Sequence, residues 1–126
     1  MIFTDSNILI VFYRNNRQIK DVLRHIGPAN LAISAVTVAE LYYGAHNRAE
    51  LQQIKQHLLL IHQLPLTGDI SHTFLQLMER YSLSHKLSLP DALIAATALV
   101  HSLELYTLNI RDFRFIDGLV LFEPVT

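Results

Sequence analysis

Short apolar runs, each closed by a polar or turn residue, alternate with longer stretches whose apolar positions recur every three or four residues. Ile2-Phe3-Thr4 reads as a buried strand ending at Asp5, and Leu31-Ala32-Ile33 as a second. Leu64-Pro65-Leu66 gives only a brief third strand, because Pro65 removes a ladder donor. Leu105-Tyr106-Thr107 is a fourth, and Leu119 to Phe122 the last. Between them the pattern predicts helices. The first, with Ser6 or Asn7 as cap, runs to about Arg14, and the second covers Arg17 to Ile26, stopped by Gly27-Pro28. A third is capped by Ser34 and carries "AVTVAELYYG", and a fourth covers Ala49 to His62. Asp69 caps a long amphipathic helix with Phe74, Leu77, Met78 and Tyr81 on one face. The last begins at Pro90-Asp91 and continues as "ALIAATALV", apolar all round and rich in alanine, as befits a buried helix lying close on a sheet.

Short apolar strands alternating with helices predict an α/β fold with a mainly parallel five-stranded sheet flanked by helices. The 126 residues make a single domain over 1–126, with 51% hydrophobic residues to fill a core. There are no cysteines, which excludes disulfides and thiolate metal sites. No signal peptide is evident, and no apolar stretch approaches the roughly 18 residues of a membrane span, so the expected location is the cytoplasm. The net charge of −1 lacks the basic surplus of most nucleic-acid binders. If the substrate is nucleic acid, bound metal and local arginines must supply the positive potential.

In parallel α/β folds ligands bind beyond the carboxyl ends of the strands, and four carboxylates fall there. Asp5 follows the first strand, Glu40 lies about two turns into the third helix, Asp91 sits in the first turn of the alanine-rich helix, and Asp112 lies beyond the fourth strand. Singly, each has an ordinary explanation: a turn residue for Asp5, a helix-dipole partner for Asp91, a surface pair with Arg111 for Asp112. Glu40 is harder to explain this way, since its helix is otherwise apolar from Ala35 to Tyr43 apart from Thr37. Together, four converging carboxylates stay ionised only with a divalent cation present, and all-oxygen ligation suits Mg²⁺ or Mn²⁺.

In the order "FTDSNILI", "ISAVTVAELYYGA", "LSLPDALIAATAL" and "LYTLNIRDFRFIDGL", the chain resembles the PIN-domain ribonucleases, specifically the small VapC-like toxins of toxin–antitoxin pairs. The resemblance spans essentially the whole sequence. It implies a PIN-like three-layer fold and an acidic quartet of Asp5, Glu40, Asp91 and Asp112 that holds one or two metal ions, with Asp112 a direct or a water-mediated ligand. Ser6 stands where the family usually has Thr, Asn7 matches the residue that orients the site, and Thr107 and Asn109 match polar positions lining it. The implied reaction is endonucleolytic cleavage of RNA by metal-activated water. Arg111 and Arg114 flank Asp112 and can bind phosphates near the cut. Arg14, Arg17, Lys20 and Arg24 recur at helical spacing and read as a solvated face. The seven histidines contain no pair at i,i+4 and receive no role.

Other classes fit less well. A phospho-acceptor receiver domain needs a late lysine, and none follows Lys86. An aspartyl-nucleophile phosphatase needs a carboxylate where Asn7 stands. A catalytically silent scaffold of the same fold would differ in binding no metal and cutting no RNA. Two partners are expected. Tyr42 and Tyr43, with the run Leu58 to Ile61, offer apolar surface for a homodimer. The resemblance also implies a cognate antitoxin, whose amphipathic helix would lie near Ile8 to Tyr13 and the helices around Tyr42 and Leu58. Its Arg or Lys would reach Asp5, Glu40 or Asp91.

Overall fold

The computed structural model describes residues 1–124. Four strands, β1 (Ile2–Thr4), β2 (Leu31–Ser34), β3 (His62–Leu64) and β4 (Glu104–Tyr106), form one parallel sheet in the order β3-β2-β1-β4. Six helices surround it: α1 (Ser6–Tyr13), α2 (Arg17–Ile26), α3 (Ala35–Tyr43), α4 (Arg48–Leu58), α5 (Gly68–His85) and α6 (Leu89–His101). Short 3₁₀ turns cover Pro28–Asn30 and Ile110–Asp112.

Alternation along the strands divides the core in two. Phe3, Ala32 and Leu105 face α5 and α6, packing with Ile70, Leu77, Tyr81 and the alanines of α6. Leu31, Ile33 and Tyr106 face the other way, onto Ile8, Leu9, Ile19, Leu23, Ile54 and Leu58. The result is helix, sheet, helix: the expected three-layer architecture. Ala92, Ala95, Ala96 and Ala98 are fully buried, so α6 packs with both the sheet and α5. No helix among the described residues is long and apolar enough to cross a membrane.

The sheet differs from expectation at both edges. The stretch Leu119–Phe122 contributes one parallel bridge, Leu105 to Leu121, rather than a fifth strand. Leu105 N–H donates to Val120 O and Phe122 N–H to Leu105 O, after which Pro124 brings no donor to continue the ladder. β3 lies earlier than the proline-centred reading, ending at Leu64 so that Pro65 falls outside it. Accordingly α4 stops at Leu58, and Leu58 and Ile61 are core residues while Leu59 and Leu60 are exposed.

Two caps also differ. Thr67, not Asp69, caps α5, its hydroxyl accepting from Ile70 N–H at 3.3 Å. The cap of α1 is Asp5 itself, accepting from Ser6 N–H at 2.8 Å. Strand β1 therefore passes directly into a helix, and the residue at the junction is an acid.

Candidate active site

β1 pairs with β2 on one side and β4 on the other, so chain direction around the sheet reverses at β1. This is the switch point at which open parallel sheets leave a crevice beyond their carboxyl ends. The register pairs Thr4 with Tyr106, and Asp5 N–H donates to Tyr106 O at 2.9 Å. One step further along both strands come Asp5 and Thr107, both buried and hydrogen-bonded to each other.

Asp5 is 5% exposed and would be costly there without partners. It has three. Ser6 N–H donates to Oδ1, while Thr107 Oγ1–H (2.9 Å) and Asn7 Nδ2–H (3.3 Å) donate to Oδ2. Asn7 is itself fixed, because its Oδ1 accepts from Leu108 N–H at 3.2 Å. Thr107 Oγ1 also accepts from Asn109 N–H at 3.0 Å. Ser6, Asn7 and Thr107 are thus joined to Asp5 in one network, and Asn109 enters it through its backbone. Burial pushes the Asp5 carboxyl above its usual range, with the Asp112 charge adding to the rise, while the Thr107 and Ser6 bonds oppose it.

The other three carboxylates sit on different elements. Glu40 projects from α3 and is exposed. Partial desolvation first, then the charges of Asp5 and Asp91, raise its pKa, and the Ser6 hydroxyl opposes them. Asp91, in the first turn of α6, is half-buried, and its backbone N–H donates to the Ser88 hydroxyl at 3.2 Å. Desolvation, then Asp5, raise its pKa against the Ser88 bond, with Asp112 adding a smaller push. Asp112 ends the exposed 3₁₀ turn Ile110–Asp112, which is pinned by fully buried Phe113. The charge of Asp5 thus acts on Glu40 and Asp91, and that of Asp112 on Asp5 and Asp91, across a single edge of the sheet.

Their chemistry fits a hard divalent cation: donors that are all oxygen, and mutual repulsion that such an ion would relieve. Among the described residues, however, no three His, Asp or Glu side chains already stand together as a coordination cluster. The quartet is an electrostatic unit rather than a preassembled cage. Arg111 and Arg114 are exposed and line, with Asp91 and Asp112, a cavity of about 470 Å³. Two grooves adjoin Glu40, the first mainly apolar and the second mixed, with Arg14, Glu50 and Gln53 in its lining. One runs along α3 past Val36, Ala39, Tyr43 and Leu66, and the other lies between α1, α3 and α4 past Ile10, Tyr13 and Ile54.

Some features of the edge have no counterpart in the sequence reading. Ser88 caps α6 and orients the turn bearing Asp91; the pattern Ser88-Leu89-Pro90-Asp91, a hydroxyl three residues before an acid, carried that signal. The Thr37 hydroxyl, one helical turn before Glu40, is buried without a partner among the described residues. His85 and Lys86 lie beside Asp91 in the 470 Å³ cavity, which no local pattern announced.

A profile of the family described as PIN domain matches residues 2–119. Ribonuclease VapC10 of Mycobacterium tuberculosis is 39% identical over 123 residues, which cover 94% of this chain and 90% of that protein. The fold superposes on a toxin–antitoxin complex from Klebsiella pneumoniae with a TM-score of 0.82 at 34% identity, covering 99% of this chain and 100% of that one. It matches FitAcB from Neisseria gonorrhoeae with the same TM-score at 27% identity, covering 98% of each chain. With the parallel sheet, its switch point and the acidic edge in place, these matches establish that the chain belongs to the PIN-domain family.

Proposed function

We propose that the protein is a divalent-metal-dependent endoribonuclease and the toxin of a toxin–antitoxin pair. The observation that carries this reading is the buried Asp5, held by three donors at the switch point and sharing its edge with Glu40, Asp91 and Asp112. The name of the Mycobacterium tuberculosis relative, a ribonuclease, supports it.

Asp5, Glu40 and Asp91 would hold one or two Mg²⁺ or Mn²⁺ ions, with Asp112 acting directly or through water. Such an ion supplies Lewis-acid activation of water and neutralises charge on the phosphate. The chain's own residues do the rest. Donors from Ser6, Asn7 and Thr107 favour the ionised form of Asp5 and fix both its oxygens. Arg111 and Arg114 hold phosphates next to the cut.

The Klebsiella pneumoniae neighbour is described as part of a toxin–antitoxin complex, which supports a cognate antitoxin here. The grooves on either side of Glu40 suit an amphipathic helix, and a basic side chain on it would reach the carboxylates. Exposed Tyr43, Leu59 and Leu60 support a homodimer, which light scattering at micromolar concentration would detect. The decisive test of the activity is incubation of the pure protein with structured RNA in Mg²⁺ or in EDTA. Cleavage in Mg²⁺, lost in EDTA and in Asp91→Asn, is expected; cleavage that persists unchanged in EDTA would exclude the mechanism.

A further inference from the structure

The 470 Å³ cavity beside Asp91 and Asp112 has a second wall that the cleavage chemistry does not use. That wall comes from the hinge between α5 and α6. Lys86 adopts a left-handed conformation (φ 54°) and ends α5, buried Leu87 returns the chain to the core, and Ser88 starts α6. This three-residue connection sets His85 and Lys86 at the cavity lip. Across from them stand Arg111, Arg114 and Phe115. The two walls meet where the His85 ring stacks on Phe115, with centroids 4.1 Å apart and planes 12° from parallel. Tyr81 packs edge-on against both rings and so supports the stack.

Lys86, Arg111 and Arg114 are exposed, and the ion pairs among the described residues, His46–Glu50 and Arg80–Asp117, involve none of them. Three fixed cations thus gather beside the acidic edge of a chain whose net charge is −1. His85 Nδ1 is engaged by the Ser84 hydroxyl at 2.8 Å, which leaves Nε2 for a ligand. Cations track a phosphate backbone, and stacked rings receive an unpaired base. An acidic protein segment would use the cations but has no base for the rings.

We propose that His85, Lys86, Arg111, Arg114 and Phe115 form a subsite for one unpaired nucleotide of RNA next to the scissile phosphate. This rests on the reading of RNA as substrate. The subsite makes the enzyme select single-stranded segments, because a base within a duplex cannot leave its stack for the His85–Phe115 platform without the cost of unpairing.

The test is binding of a labelled, unstructured oligoribonucleotide by fluorescence anisotropy in EDTA, over a series of salt concentrations. The double variant Lys86→Asn, Arg114→Gln should bind about tenfold more weakly at low salt, and its salt slope should shrink by about 1.4, or roughly 0.7 per lost cation. Asn keeps the left-handed turn accessible at position 86. Arg17→Gln, on the solvated face of α2, should change neither quantity. His85→Ser should leave the slope intact but abolish the preference for a base-bearing oligomer over an abasic one of equal charge. Thermal melts check that each variant is folded. Unchanged affinity and slope in the double variant, or an undiminished base preference in His85→Ser, would overturn the subsite, and binding of an acidic peptide lost in the double variant alongside intact RNA binding would reassign the lip to a protein. No cleavage is read in this assay. RNA binding as described without any cutting in Mg²⁺ would refute the nuclease and leave the subsite, whereas cutting with unaltered binding in the double variant would refute the subsite alone.

Discussion

The two ends of α1 both bury a titratable group, and they treat it in opposite ways. At the start of the helix, Asp5 is desolvated but receives bonds from Ser6, Asn7 and Thr107, all of which favour its charge. At the end, Tyr13 meets His57 through a bond of 2.8 Å between its hydroxyl and Nδ1. There burial acts without such opposition: it pushes the Tyr13 hydroxyl up to about 12 and the His57 imidazole down, so both stay neutral. Phe12 stacks on the same imidazole and completes an aromatic cluster. Desolvation therefore accompanies the proposed metal ligand at one end and a packing element at the other. The deeper of the two groups, Asp5, is also the one supplied with donors.

Variants at the two ends break this comparison in order of effect. Asp5→Asn should lower RNA cleavage by about 10³-fold, the several kcal/mol that Lewis-acid catalysis supplies, as a gel assay in Mg²⁺ would read. Asp5→Ala should in addition destabilise the fold by about 1–2 kcal/mol in urea titration, because the helix loses its cap. Thr107→Val leaves Asp5 with one donor fewer. It should reduce activity by about 10–100-fold, with Thr107→Ser restoring most of it. Full activity in the Thr107→Val enzyme would show that the network is ornamental to catalysis.

At the other end the effects are on stability alone. Tyr13→Phe should cost about 0.5–1.5 kcal/mol and leave turnover unchanged. The His57 pKa is lowered from 6.5 in the fold. Its contribution to stability is therefore complete above pH 6.5 and is lost as pH falls through the folded value, when the half-buried imidazole must take on a charge that burial disfavours. Thermal melts between neutral and mildly acid pH should show a decline that His57→Phe flattens. An identical decline in that variant would assign the acid sensitivity to other groups.

Much of this contrast was readable in the sequence, but unevenly. The strands β1, β2 and β4 and the span of α2 follow from apolar runs and turn residues, and the four acids follow from where those runs end. What escaped depends on partners distant in sequence. Ser6 or Asn7 read as the cap of α1, whereas Asp5 is the cap, its carboxylate accepting from Ser6 N–H and held also by Asn7 and Thr107. The fifth strand was overcounted because Leu119–Phe122 is apolar enough for a strand, yet Pro124 stops the ladder after a single bridge. The run Leu58 to Ile61 looked like one exposed patch, but the end of α4 turns Leu58 and Ile61 inward. The meeting of His85, at the end of α5, with Phe115 joins residues 30 positions apart, and no local pattern predicts it.

The bond between Thr107 and Asp5 spans 102 positions of the chain. Of the four strands, β1 is made first and β4, its neighbour in the sheet, is made last. During synthesis, at about 5–20 residues per second, Asp5 emerges early and waits for Thr107 through the making of every other strand. Closing so long a loop carries an entropic cost, so the Asp5–Thr107 contact forms late. A nascent chain therefore lacks the completed bonds around Asp5 until β4 has left the ribosome. For a protein whose proposed substrate is RNA, that sequence of events separates its own manufacture from its activity by the simplest means, the order in which its strands are made.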